Sequence, residues 1–148
     1  MIDLAQLRIC VTGGGDLDRY VCHKLRRRGV RKDRLIIPRS SDYDLTDPQQ
    51  CRNLFEQCRP DVVIHLATQM GGIEANRIHP VRFFYANMAI GLYLIEQARL
   101  HRIVRFVHTG TVCAYPKMIP VPFSEGELCN GYPKPTNEPY CIAKKPFL

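Results

Sequence analysis

The sequence predicts an α/β fold, a doubly wound parallel sheet, and three observations carry that prediction. Short apolar, β-branched runs at 7–12, 34–37, 61–67 and 104–109 alternate with stretches of helical periodicity. The first run passes straight into Gly13-Gly14-Gly15 and then into a helical pattern, so that strand, tight turn and helix follow one another. The third run, Asp61-Val62-Val63-Ile64-His65-Leu66-Ala67, is apolar almost throughout, as a strand covered on both faces must be. Short right-handed crossovers then assemble one parallel sheet.

Leu7 to Thr12 is the first strand. Leu17, Val21 and Leu25 recur at helical spacing from Leu17 to Arg28, and Gly29 suits the position just past a helix end. Arg34 to Ile37 is the second strand. Thr46 or Asp47 can cap a helix that opens at Pro48 and runs to about Cys58, where Arg59-Pro60 breaks it. After the third strand, Gly71-Gly72-Ile73 reads as loop, and Pro80 opens a long helix whose apolar positions include Phe84, Met88, Leu92, Ile95 and Ala98. Val104 to Thr109 is the fourth strand. Prolines 116, 120, 122, 133, 135 and 139 then stand among polar and aromatic residues, an irregular stretch of a length that is more often functional than structural. It leads into a helix carrying Tyr140 and Lys144, which Pro146 opposes because it lacks a backbone donor.

At 148 residues, 45% hydrophobic and 24% charged, the chain suits one folded domain with a real core. No stretch is apolar enough to span a membrane, and Met1-Ile2-Asp3-Leu4-Ala5-Gln6 lacks the pattern of a secretory signal, so a cytoplasmic protein without a membrane partner is expected. The seven cysteines form no Cys-x-x-Cys pair and fit neither a disulfide framework nor a metal site. Reduced, small apolar fillers are expected, with Cys113 as the exception. The net charge of +7 is concentrated in Lys24, Arg26, Arg27, Arg28, Arg31, Lys32, Arg34 and Arg39. A nucleic-acid surface is one reading of that cluster. A solvated helix C-terminus and turn is the favoured one, since no stacking aromatics are interleaved and Tyr20 and Tyr43 merely flank it. No nucleic-acid partner is expected.

Ligands of such sheets bind beyond the carboxyl ends of the strands, with a pyrophosphate on the backbone N–H groups of the first turn. Gly13, Gly14 and Gly15 fit that turn as Gly13-x-Gly15-x-x-Asp18, in which the third glycine is missing and a carboxylate stands in its place. Arg39, just past the second strand where no acidic residue is placed to hold a ribose, suits the 2′-phosphate of NADP(H) or is a solvated loop arginine. Tyr140 and Lys144 share a helix face, where an ammonium eases loss of a phenolic proton; the same spacing also describes ordinary helix neighbours.

Val11-Thr12-Gly13-Gly14, Asp44-Leu45-Thr46-Asp47, Gly71-Gly72-Ile73-x-Ala75-Asn76, Gly110-Thr111-Val112-Cys113-Ala114-Tyr115-Pro116-Lys117, Asn130-Gly131-Tyr132-Pro133 and Tyr140-x-x-x-Lys144, with the third strand, together resemble the GDP-L-fucose synthases. These are extended short-chain dehydrogenase/reductases, and the resemblance covers nearly the whole chain. It implies an NADP-dependent oxidoreductase with isomerase activity on a GDP-sugar: GDP-4-keto-6-deoxy-D-mannose epimerised at carbons 3 and 5 and reduced at carbon 4. By the same resemblance Tyr140 is the proton donor, Lys144 holds the nicotinamide ribose and tunes Tyr140, and Thr111 stands for the usual serine. Cys113 matches the epimerisation acid/base. Gly13, Gly14, Gly15, Arg39, Asp44, Leu45, Leu66 and Ala67 fall at cofactor positions, and Asn76 near the sugar. Asn87 resembles an asparagine that steadies the site, or is a plain helix-surface residue; His65 is expected to be a satisfied structural histidine.

Two departures accompany the resemblance. The glycine turn is either one residue short or has lost two glycines to Asp16 and Arg19. Family members are about twice as long, with a nucleotide-sugar domain and the epimerisation histidine after the Tyr/Lys helix. The resemblance therefore implies an incomplete NADP-binding Rossmann domain over 1–148, cut after that helix and inactive alone, from a family of homodimers. A non-catalytic nucleotide-binding remnant is the alternative.

Overall fold

Burial of apolar runs organises the chain into four short parallel strands, described here from a computed structural model that covers residues 3–148. Met1 and Ile2, the first residues of the stretch weighed above as a leader, lie outside the described residues. Strand β1 (Ile9–Thr12) is buried along its whole length and lies between β2 (Leu35–Ile36) and β3 (Val62–His65). Strand β4 (Arg105–His108) pairs with the far side of β3, giving the order β2-β1-β3-β4. The register sets Ile9 opposite Leu35 and Val62, Thr12 opposite His65, and His65 opposite His108. The α/β parallel fold is therefore as expected, with shorter strands.

The chain folds into two compact units. The first comprises the residues up to Thr68 together with Leu92–Thr109, and the second comprises Gln69–Gly91 and Gly110–Leu148.

In the first unit, helix α1 (Asp16–Arg27) lays Val21, Cys22 and Leu25 on a core of Ile9, Val11, Val30 and Val62. Leu17, expected on the same stripe, is 56% exposed, and Asp18 is buried in the first turn instead. Gly29 takes φ +94, the left-handed conformation that ends a helix at low cost for glycine. Part of the basic cluster lies where cations complement the helix dipole: Lys24, Arg26 and Arg27 fill the last turn of α1. Further along, Arg31 makes a two-pronged bond with Asp33, and Arg34 donates to the Gln6 carbonyl at 2.8 Å. Helix α2 (Pro48–Cys58) is capped by Asp47, whose carboxylate accepts the Gln49 N–H at 2.8 Å, and buries Cys51, Leu54 and Phe55. Arg59, at φ 42, closes its C-terminus.

Two expectations need correction. Ile73, expected in a loop with the two glycines before it, instead opens a short helix, α3 (Ile73–Ile78), with Gly72 as its N-cap. The long helix α4 (Pro80–Leu100) buries Phe83, Ala86, Asn87, Ala89, Ile90, Leu94, Gln97 and Ala98. Of the stripe expected to be apolar and inward, Phe84, Leu92 and Ile95 are exposed and only Ala98 is fully covered. Two polar residues belong to the true inner face, so an apolar count alone settles on the neighbouring stripe. Strand β4 is less covered than β1 and β3: Arg105 and Val107 are exposed and alternate with half-buried Phe106 and His108.

The second unit holds helix α5 (Glu138–Lys144) and a chain of 3-10 turns at Val112–Ala114, Glu125–Glu127 and Pro135–Asn137. Pro146 does end the α-helical geometry, and Lys145–Phe147 continues as a 3-10 turn. Close packing governs Gly71, where a Cβ would stand 2.6 Å from Ala75 Cβ and 2.9 Å from Phe83 Cζ. Gly71→Ala is accordingly expected to lower stability by about 1–3 kcal/mol, the usual range for overpacking. Urea unfolding checks this against Gly72→Ala, whose Cβ meets nothing within 4 Å. Equal losses in the two variants would defeat the packing account.

Candidate functional site

The first unit carries the turn after β1. Gly13 adopts φ +146, and a Cβ there would lie 3.4 Å from Leu66 Cβ and 3.7 Å from the Ala67 nitrogen, so the backbone passes close to the end of β3. Gly14 and Gly15 face open space. Gly15 is the N-cap of α1 and has no side chain to bond the first N–H groups. The buried Thr12 hydroxyl pairs with His65 Nδ1 at 2.9 Å and accepts the Ala67 N–H at 3.4 Å, while Leu66 N–H donates to the Thr12 carbonyl at 2.9 Å. His65 is thus the satisfied structural histidine expected. Asp18 is 4% exposed, and its Oδ1 has no hydrogen-bond partner among the described residues.

Arg39 is exposed just past β2, and no carboxylate pairs with its guanidinium among the described residues. Asp44 is occupied locally: its Oδ1 accepts the backbone N–H and the hydroxyl of Thr46, at 2.9 and 2.7 Å. Those two bonds hold its carboxyl below the usual range. The Leu45 carbonyl accepts from the Cys51 thiol at 3.4 Å. Both residues brace the start of α2.

The second unit brings Thr111, Cys113, Tyr140 and Lys144 onto two elements that pack together, the 3-10 turn Val112–Ala114 with its cap and helix α5. Thr111 Oγ1 accepts the Cys113 N–H at 3.2 Å, which leaves the hydroxyl hydrogen available to another acceptor. Cys113 is exposed, so the filler role common to cysteines does not apply to it. Tyr140 is half-buried. Lys144 is only 4% exposed and has no carboxylate partner among the described residues; burial pulls its pKa from the ordinary 10.5 down to about 8. The ammonium expected beside Tyr140 is therefore a charge that burial disfavours.

Asn76 is buried, and its Nδ2 donates to the Gly71 and Gly72 carbonyls at 3.0 and 3.2 Å, fixing the start of α3. Only its Oδ1, unpartnered among the described residues, remains for anything else. Asn87 is not a helix-surface residue: it is 3% exposed, accepts the Gln69 N–H at 3.0 Å and donates to the Gln69 carbonyl at 2.7 Å. One residue escaped the sequence reading: Cys129 is a second exposed thiol, and no signal in the sequence separates it from the buried cysteines. Cys141, next to Tyr140, is fully buried, as expected of a filler.

Lys144 makes stability depend on pH with a definite sign. The folded protein releases this proton at about 8 and the unfolded chain at 10.5, so between those values the unfolded state binds more protons and stability rises with pH. Below 8 the full penalty of burying the charge is present. Unfolding free energies measured at pH 7, 8, 9 and 10 should show wild type gaining on Lys144→Met across this window; a constant difference would mean that the lysine stays charged.

Comparison with known proteins follows the same geometry. Over 142 residues the chain is 32% identical to the GDP-L-fucose synthase of Escherichia coli (strain K12), which covers 95% of this chain and 44% of that protein. It is 31% identical over 139 residues to the GDP-L-colitose synthase of Yersinia pseudotuberculosis, covering 93% and 44% respectively. The crystal structure of a GDP-L-fucose synthetase from Naegleria fowleri bound to NADP superposes with a TM-score of 0.85 at 28% identity, over 95% of this chain and 42% of that one. The chain spans less than half the length of these relatives. Residues 9–146 match the family described as NAD dependent epimerase/dehydratase. That match opens on the first residue of β1 and closes two residues past α5, so it contains every strand and α-helix described above, and the chain belongs to the NAD dependent epimerase/dehydratase family.

Proposed function

We propose that this chain supplies the NADP(H)-binding turn and the proton-transfer residues of a GDP-L-fucose synthase reaction, the epimerisation and reduction of GDP-4-keto-6-deoxy-D-mannose. The observation that carries the reading is the packing of Thr111, Cys113, Tyr140 and Lys144 on two touching elements of one unit, in a chain about one-third identical to such synthases. GDP is common to the names of both curated relatives, fucose and colitose are not, so the nucleotide half of the substrate has the broader support. A homodimer in the cytoplasm, with neither nucleic acid nor membrane as partner, belongs to the same proposal.

The backbone of the glycine turn fits a dinucleotide pyrophosphate, with an uncapped helix N-terminus, open sides at Gly14 and Gly15, and a close pass at Gly13. Two carboxylates in the first turn of α1, Asp16 and Asp18, oppose a phosphate and weaken the fit without closing it. Arg39 supplies a charge for the 2′-phosphate, while Asp44, Leu45, Leu66 and Ala67 line the adenine side and the strand end. The cofactor, when bound, supplies the hydride.

The chain's own residues handle protons and position. Tyr140 gives its phenolic proton to the oxygen at carbon 4 of the sugar. Thr111 offers its remaining hydroxyl hydrogen to that oxygen, since its lone pair already holds the Cys113 N–H. Cys113, exposed at the turn, exchanges the protons at carbons 3 and 5. Lys144 holds the nicotinamide ribose. Asn76 offers its Oδ1 to a sugar hydroxyl, and Asn87 fixes the backbone of Gln69.

Titrating the chain with NADPH and NADH tests the reading. NADPH is expected to bind, weakly, and in preference to NADH. Arg39→Ala should weaken NADPH by roughly 10- to 100-fold, the loss of a charge-assisted hydrogen bond of about 1.5–3 kcal/mol, and leave NADH unchanged. Asp18→Asn, which removes the first-turn charge, should tighten both. Absence of binding at roughly millimolar concentrations of either cofactor, or salt-sensitive DNA binding in its place, would sink the proposal.

A further inference from the structure

We infer that the groove between helices α2 and α4 is a binding site for a small aromatic carboxylate. Pro48, Gln49 and Arg52 of α2 face Tyr93, Gln97 and Leu100 of α4 across a cavity of about 350 Å³, and all six belong to the first unit. Helical spacing places 49 and 52 on one stripe of α2 and 93, 97 and 100 on one stripe of α4. Two such stripes leave a trough whose volume lies at the small end of known ligand sites.

The polar groups of the trough are unequally occupied. Glu96, on the same wall, is held by Arg99, whose Nε and Nη2 donate to it at 2.8 and 2.7 Å. Gln49 is held as well, its side-chain amide donating to Asn53 Oδ1 at 3.0 Å. The Arg52 guanidinium, by contrast, has no carboxylate partner among the described residues. Gln97 is the decisive residue. It is 7% exposed, and its backbone carbonyl accepts the His101 N–H at 3.0 Å, yet its side-chain amide forms no hydrogen bond among the described residues. That amide is not one of the unpartnered groups sealed from solvent, so it opens on the trough that Gln97 lines. An amide so well covered and not bonded by the protein leaves a hydrogen bond for a ligand to make.

These free groups select the ligand. A guanidinium fork pairs best with a planar anion, and a carboxylate gives it two acceptors side by side. The Gln97 amide donates to the same anion or to a polar substituent on the ring. Pro48, the Tyr93 ring and Leu100 supply apolar wall, which a flat ring covers and a bare anion leaves wet. A cation meets Arg52 and is repelled. The bound acid ties the start of α2 to the end of α4 and so stabilises the first unit by mass action. The site stands on these two helices and needs neither the cofactor nor the sugar assignment.

The test uses the whole chain, labelled with nitrogen-15 and titrated with sodium benzoate at constant ionic strength. Saturable shifts are expected at the Gln97 side-chain amide and at the backbone amides of 49–52 and 93–100, with a dissociation constant of about millimolar order. Benzamide, which keeps the ring and lacks the charge, should bind roughly tenfold more weakly, and acetate, which keeps the charge and lacks the ring, should not saturate. Arg52→Ala should lose the preference for benzoate over benzamide; Arg52 is exposed, so this variant keeps its fold. Gln97→Leu should weaken benzoate several-fold. Because Gln97 is buried, the benzamide, acetate and Arg52→Ala titrations decide the matter even if that variant unfolds. Equal binding of benzoate and benzamide, shifts centred on Gly13 to Gly15, or no saturation at tens of millimolar benzoate overturns the inference. So does line broadening at these residues that depends on protein concentration without benzoate, since a second copy of the chain would then be the occupant.

Discussion

The pairing of the Thr12 hydroxyl with His65 Nδ1 is the contact on which the first unit depends. It joins the last residues of β1 and β3 inside a completely buried setting, where a lost partner costs far more than in water. The same hydroxyl takes the Ala67 N–H, and the Thr12 carbonyl takes that of Leu66, so the chain leaving β3 is tied down as it passes the glycine turn. Gly13 can then make its close pass only in a backbone conformation that side chains disfavour. A buried polar pair between the two inner strands thus fixes the chain that passes beside the glycine turn.

In the second unit the same economy is reached with amides. Asn87 gives Gln69 the two hydrogen bonds that a neighbouring strand would have given it, and Asn76 does comparable work for the glycines that open α3. These bonds hold irregular backbone in place without the regular ladder of a sheet, which suits a segment whose task is to position side chains. Lys144 differs from both, because it is buried without a carboxylate among the described residues and its proton is held loosely. Such a group responds to a neighbouring anion more readily than a solvated lysine does.

The parts of this molecule governed by uninterrupted apolar runs were legible in the sequence. Val62 to His65 and Ile9 to Thr12 announce themselves as buried strands, and Asp47-Pro48 announces a capped helix, because each signal is local and has one physical meaning. The inner face of α4 was not legible. Asn87 and Gln97 lie on it, and nothing in a hydropathy pattern distinguishes a polar residue with buried partners from one in water. Burial of Lys144 and exposure of Cys129 are tertiary facts, and composition is silent on them. The roles given to Cys113 and Tyr140 came from likeness to a family, whereas their surroundings came from packing.

The two margins of the sheet are unequal. β2 contributes two residues and leaves little backbone for another chain to pair with, a short edge of the kind that soluble proteins use to stay apart. β4 is twice as long, has Val107 exposed beside it, and pairs only with β3 among the described residues. Arg105 is the charge stationed along that margin. An exposed arginine on an edge strand opposes pairing with an identical strand through like-charge repulsion, and that opposition weakens as ionic strength rises.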